Sequence, residues 1–243
     1  MAGKKSSFFV RGGVLPRLNP ALRLVVLCAA LFFAAALGFS QEGRPDALRS
    51  YRTGRDLEAR GRLQEARPYY DEAINICLAE INRNAANMDS YTVLTWALQR
   101  QNRYAEVIEW GQRGLRVNAN DFRIIETMGE ASFYLNQYAQ SLRYMQRYVD
   151  GNPQGDRVSV AFFFIGEIYR LQQKYRHADI AYTTAVRLEP NLALWWYRLG
   201  TVRESVGEYP NAVEAYEQAL RLNPNYREAS DGLARSRANT ASR

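Results

Sequence analysis

The chain reads as an all-α solenoid of about five helical hairpins closed by a C-terminal capping helix. Three observations predict it. Pro190 and Pro224 stand 34 residues apart, and the residues around them recur in step: Ile165-Gly166 becomes Leu199-Gly200, Ala178 becomes Ala212, Tyr182 becomes Tyr216, Ala185 becomes Ala219. A period of that length, with large, small and proline positions in phase, marks stacked helical hairpins. The same frame slides back to Ala47 in three weaker copies. The chain also lacks any constellation of reactive side chains, so the repeats predict a binding surface.

The elements follow in order. Lys4, Lys5, Arg11, Arg17 and Arg23 are all basic with no acid before Glu42, and Leu24 to Phe39 is a run of sixteen uncharged residues. A cationic stretch, an apolar run and then small residues is the layout of a secretory signal, so residues 1–40 are expected to be removed after Ser40. An uncleaved anchor through residues 24–39 is the alternative, although sixteen residues fall short of the roughly 17 to 25 that cross a bilayer. Residues 41–46 read as a disordered connector. Cys28 is no lipidation site, because Leu27 before it is too large and apolar residues continue beyond it.

Five units follow: 47–80, 88–121, 122–155, 159–192 and 193–226. In the last two, a bulky residue (Phe162, Trp196) precedes an aliphatic and then a glycine (Gly166, Gly200), which lets the second helix approach with no Cβ in the way. Ala178, Ala185, Ala212 and Ala219 do the same from the other helix, and the aromatic between them (Tyr182, Tyr216) fills the gap toward the next unit. Proline then stops the second helix. The turn position reads Gly61, Asn102, Asn136, Gln173 and Gly207, mostly types that tolerate a left-handed backbone. Two places later stand Leu63, Tyr104, Tyr138, Tyr175 and Tyr209, each anchoring the entry of a second helix, with Pro210 at a first helical position.

Two insertions break the register. Ile81 to Asn87 predicts a second helix about two turns longer in the first unit, ended by Asn82, Asn84 and Asn87. Asp156 to Val158 lengthens the loop before the fourth unit. Residues 227–237 carry Ala229, Leu233 and Ala234 between charges and read as a capping helix, and residues 238–243 as a frayed, disordered tail.

From 47 to 226 this pattern resembles the tetratricopeptide repeat family. Leu199, Gly200, Ala212, Tyr216, Ala219 and Pro224 fall at the family positions, and Arg203 departs where tyrosine is usual. The resemblance implies a right-handed solenoid whose first helices line a concave groove that holds a protein or peptide partner. It places Tyr51, Arg52 and Arg55 there from the first unit and Trp96, Gln99 and Arg100 from the second. The third adds Glu126, Glu130, Phe133 and Tyr134; the fourth Phe163, Phe164, Glu167 and Arg170; the fifth Tyr197, Arg198 and Glu204. The nominated partner-binding set is Tyr51, Arg52, Arg55, Trp96, Arg100, Glu130, Tyr134, Phe163, Glu167, Arg170, Tyr197 and Arg198. Rings and arginines of this kind concentrate binding energy; the same rings also serve for packing between hairpins. In the run Val160 to Ile165 at least one of Phe163 and Phe164 must be exposed or covered by a partner, because a helix cannot bury six successive apolar residues on one face. The family's carboxylate clamp is absent, since its slots hold Tyr51, Arg55 and Val93.

Composition excludes other classes. The whole chain carries 32 basic and 25 acidic residues, a net charge of +7; without the five leader cations the balance is 27 to 25, a net of +2, which gives no nucleic-acid footprint. There is no His-Glu-x-x-His, no paired cysteines, no phosphate loop and no nucleophile elbow. His177 reads as a packing histidine at the solvent edge and Cys77 as a small core residue. No cofactor, metal or catalytic residue is expected. The leading expectation is a non-catalytic adaptor in the periplasm or cell envelope. The alternative is an exported small-molecule or lipid-binding component, motivated by Phe162 to Phe164. Self-association through an exposed apolar helix face stays open.

Overall fold

The computed structural model describes residues 46–241, so the expected signal segment, and the connector apart from Asp46, lie outside the described residues. Eleven helices and no strand fill the described chain. Five hairpins pair α1 (Ala47–Ala59) with α2 (Leu63–Arg83), α3 (Met88–Arg100) with α4 (Tyr104–Val117), α5 (Phe122–Tyr134) with α6 (Tyr138–Gly151), α7 (Val158–Leu171) with α8 (Tyr175–Leu188), and α9 (Ala193–Ser205) with α10 (Tyr209–Leu222). The last helix, α11, runs Arg227–Ala241.

One turn design is repeated five times. At Gly61, Asn102, Asn136, Gln173 and Gly207 the backbone takes φ of 74°, 58°, 59°, 57° and 76°. The N–H of that residue bonds the carbonyl three residues back, and the next N–H bonds the carbonyl five back: Gly61 to Glu58 and Arg62 to Leu57, through to Gly207 to Glu204 and Glu208 to Arg203. These are Schellman closures, which satisfy the last carbonyls of the first helix. Each second helix then begins one residue on, at Leu63, Tyr104, Tyr138, Tyr175 and Tyr209. Pro210 is the second residue of α10 rather than the first, still inside the turn where no N–H is needed.

Within hairpins the glycine position is a socket for the residue sixteen places later. A Cβ built on Gly166 or Gly200 would stand 2.6 Å from the ring of Tyr182 or Tyr216, one on Gly54 2.7 Å from Tyr70, and one on Gly129 2.9 Å from Met145. The aromatic expected to reach toward the next unit therefore seats first on its own hairpin. Tyr216 does both, because a Cβ on Gly232 of α11 would meet it at 2.4 Å.

Each helix packs on the next, and α1–α3, α3–α5, α5–α7 and α9–α11 also touch across hairpins. First helices that crowd one another lie on the inner side of the stack. Consistent with this, α3 and α5 are buried on almost every face. At the α7–α9 step side chains make the bridge, with Phe163 stacked on Trp195 at 5.0 Å and 13°.

The insertions behave as their composition demands. α2 has 21 residues against 14 in the other second helices, and it ends at Asn84. The second insertion lengthens the turn to 152–157 and contributes Val158 to α7. The expected fraying from residue 238 is corrected: α11 continues to Ala241, with Thr240 Oγ1 donating to the Ser236 carbonyl at 2.8 Å. Its inner positions Ala229, Gly232 and Ser236 are buried, so the helix is held by packing on α10 beyond the range the apolar pattern marked.

Candidate partner-binding groove

The inner face of hairpins 1 to 3 contains two confluent cavities of about 510 and 480 Å³ that share Gln99, Arg100 and Glu130. The first lies at the hairpin-turn edge and is walled by Leu63, Arg67, Tyr70, Tyr104 and Tyr134. The second spans the middle of α1, α3 and α5 and reaches the 152–157 turn through Tyr51, Arg55, Trp96, Glu126 and Arg157.

Three tyrosines on second helices donate to glutamates on first helices. Tyr70 Oη lies 2.5 Å from Glu58, Tyr182 Oη 2.5 Å from Glu167 and Tyr216 Oη 2.6 Å from Glu204. Burial first, and the adjoining carboxylate second, push all three phenols up, so they remain donors. Each glutamate also meets an arginine from the next first helix. Arg100 grips Glu58, with Nε at 3.0 Å; Arg235 of α11 grips Glu204 at 2.8 and 3.0 Å. Arg198 Nε sits 2.9 Å from Glu167, although its N–H is not aligned as a hydrogen bond. Arg170, on the same helix as Glu167, supplies the aligned bond at 2.7 Å.

These contacts set the charges. The Arg100 hydrogen bonds hold the Glu58 carboxyl below the usual carboxylate range. For Glu204 burial pushes upward, but Arg235 and Tyr216 outweigh it and the net shift is down. Glu126 goes the other way. Burial, then the charge of Glu130, raise it well above the ordinary value, with Arg157 only partly opposing. Arg157 reaches from the inserted turn to both acids: Nε donates to Glu126 at 3.0 Å and the guanidinium also bonds Glu130, which accepts from Gln99 as well.

The nominated residues separate accordingly. Tyr51, Arg55, Trp96, Arg100, Glu130 and Tyr134 line the cavities. Tyr51 is buried, its ring 5.6 Å from Trp96 and 6.0 Å from Tyr70, so it forms the wall beneath Trp96. Arg52 is exposed on α1 and lines neither cavity. Glu167, Arg170 and Arg198 are gathered by one another. Tyr197 packs 5.0 Å from Tyr226 and 6.1 Å from Tyr216, toward the cap. Of the two rings, at least one of which was expected to be exposed or covered by a partner, Phe164 is buried against Phe133 and Phe163 is half-buried beside the Trp195 stack. The successive rings diverge into different inter-hairpin seams, Phe164 buried and Phe162 and Phe163 partly so. Glu58, Arg67, Tyr104, Arg157 and Arg235 were missed. Glu58 occupies a groove-facing register of the first unit and was legible there; Arg157 lies in an insertion, where no repeat register applies.

His177 is exposed beside Tyr169, and Cys77 is buried in the core with its thiol pushed up to about 12 by burial, first, and Glu80. Among the described residues no group of three or more His, Cys, Asp or Glu is placed to hold a metal. Also among them, no helix is long and apolar enough to cross a membrane; residues 24–39 lie outside that statement.

Tetratricopeptide repeat models match residues 46–119, 160–192 and 193–226, together more than half of the chain. The chain belongs to the tetratricopeptide repeat family. The tetratricopeptide array superimposes on Pseudomonas aeruginosa pilF with a TM-score of 0.62 at 16% identity, covering 81% of this chain and 87% of that one. It also matches YrrB, described as a TPR protein with an unusual peptide-binding site (TM-score 0.54, 19% identity, 79% and 93% covered). MamA from Desulfovibrio magneticus gives 0.56 at 18% identity, with 74% and 96% covered. These likenesses show the fold. A stretch of 99 residues is 30% identical to the Mus musculus Protein O-mannosyl-transferase TMTC1, covering 40% of this chain and 10% of that protein. The chain thus spans about a tenth of that curated relative's length.

Proposed function

We propose that the chain is an exported adaptor that grips an extended segment of a partner protein along the inner face of hairpins 1 to 3, in the cell envelope. The observation that carries the reading is the pair of confluent cavities, about 510 and 480 Å³, with Glu58, Glu126 and Glu130 on their floor already paired to Arg100 and Arg157. A floor arranged in advance loses little order when a segment binds, and half-exposed rings such as Trp96 offer area at small entropic cost. The peptide-binding site named for YrrB supports the same use of this fold.

Export rests on the residues of the N-terminal segment: five cations, an apolar run from Leu24 to Phe39, and the small residues Gly38 and Ser40. Retention as an anchor through residues 24–39 is the other form of this reading. An intact mass that begins at Gln41 supports cleavage, and one that includes residues 1–40 supports the anchor.

The groove is tested by crosslinking in native envelopes. Wild-type protein is expected to capture a partner that the Arg55→Ala/Trp96→Ala protein loses while keeping the same helical circular dichroism. Equal capture by both would remove the inner face as the site.

A further inference from the structure

The turn-edge cavity has a composition that the middle of the groove does not share. Its acids are committed: Glu58 accepts from Tyr70 at 2.5 Å and from Arg100 at 3.0 Å, and Glu130 accepts from Gln99 and Arg157. A basic ligand therefore finds no free carboxylate on this floor. Its aromatic wall keeps an open part. Tyr134 stacks on Tyr104 at 4.8 Å and 16° and meets Phe133 and Phe164 edge-on, yet stays 49% exposed, and Leu63, also on the wall, is 62% exposed. At the rim Arg67 is exposed and forms no ion pair with any described carboxylate. A flat ring platform, an open leucine and an uncompensated guanidinium converge on a space of about 510 Å³, room for one large side chain and its neighbours.

We propose that this cavity is an anchor pocket for a partner segment in which an aromatic residue adjoins an acidic one, the ring lying against Tyr134 and Leu63 and the carboxylate pairing with Arg67. Guanidinium matches carboxylate geometry bidentately, and ring-on-ring contact is favoured in such pockets. The inference rests on the groove reading and adds to it a second contact point, outside the helix middles, with a stated chemistry.

Random peptides displayed on phage and selected on the full chain test it. Enrichment of adjacent acidic and aromatic residues is expected. Synthesised, those peptides should bind Tyr134→Ala at least about tenfold more weakly, as loss of an aromatic anchor does. Arg67→Glu, a substitution at an exposed position that leaves the fold intact, should weaken them by roughly three- to tenfold, the scale of one rim charge reversed. Reselection on Arg67→Glu should enrich basic residues beside the aromatic. Peptides that lack the acidic-aromatic pairing, or that bind both variants as tightly as wild type, overturn the pocket. If such peptides are nonetheless lost by Trp96→Ala, the groove stands and the pocket alone falls; no enrichment at all removes both.

Discussion

A left-handed residue costs most side chains about 1–2 kcal/mol, and five turns of this chain need one. Glycine fills two of the positions, asparagine two, and Gln173 the fifth, at φ 57°. Gln173→Gly should therefore stabilise the protein by about 0.5–1 kcal/mol, less than the full steric relief because glycine also frees the unfolded chain. Gly61→Ala is the mirror experiment. No atom lies within 4 Å of the added Cβ, so any loss, expected at about 1 kcal/mol, belongs to the backbone at φ 74°. Urea midpoints that move in opposite directions for the two substitutions meet the expectation. The turn position was legible because a backbone requirement shows itself as a residue type. The contacts of Glu58 were not legible, because Arg100 lies 42 residues away and a carboxylate announces nothing about its partner.

Between elements, the 152–157 turn binds α5 through one guanidinium and two carboxylates. Folded Glu126 holds its proton to higher pH than an unfolded glutamate, through burial first and Glu130 second. Between the unfolded value, near 4.3, and the raised folded one, the folded state binds more protons, so stability falls as pH rises. Glu126→Gln removes that proton exchange and keeps an acceptor for Arg157. Wild type and variant should be equally stable below about pH 4, where the unfolded carboxyl is also protonated, and the variant should gain relative stability as pH rises to neutrality. Glu58 and Glu204, held below the usual range, weaken the fold in acid by the same amount in both proteins. Urea unfolding across pH checks it; a constant difference would mean that Glu126 titrates normally. The helices themselves could be read from periodic large and small residues, down to the extra turns of α2. The part of the groove built by an insertion could not, because Asp156 to Val158 has no counterpart in the repeat and its Arg157 looks like any loop cation.

At the scale of the whole array, a polar seam follows the packing. It comes in three clusters: Glu58 and Arg100, beside Gln99, Glu130 and Arg157; then Glu167 with Arg170 and Arg198; and last Glu204 with Arg235. Contacts pass only between neighbours, so stability is close to a sum of hairpins and their interfaces. The C-terminal end is then the sensitive one, because α11 covers the Tyr216 ring, buries Ala229 and supplies Arg235 to Glu204. Ending the chain at Tyr226 leaves that ring open and Glu204 without its cation. The loss should be local: hydrogen exchange should quicken strongly in α9 and α10, less in α7 and α8, and hardly at all in α1 to α3. The truncated protein should also self-associate through the uncovered face, visible as a larger mass in light scattering. Uniform acceleration from α1 to α10 would instead show the array melting as one cooperative body, with interfaces strong enough to carry the loss of the cap through all five hairpins.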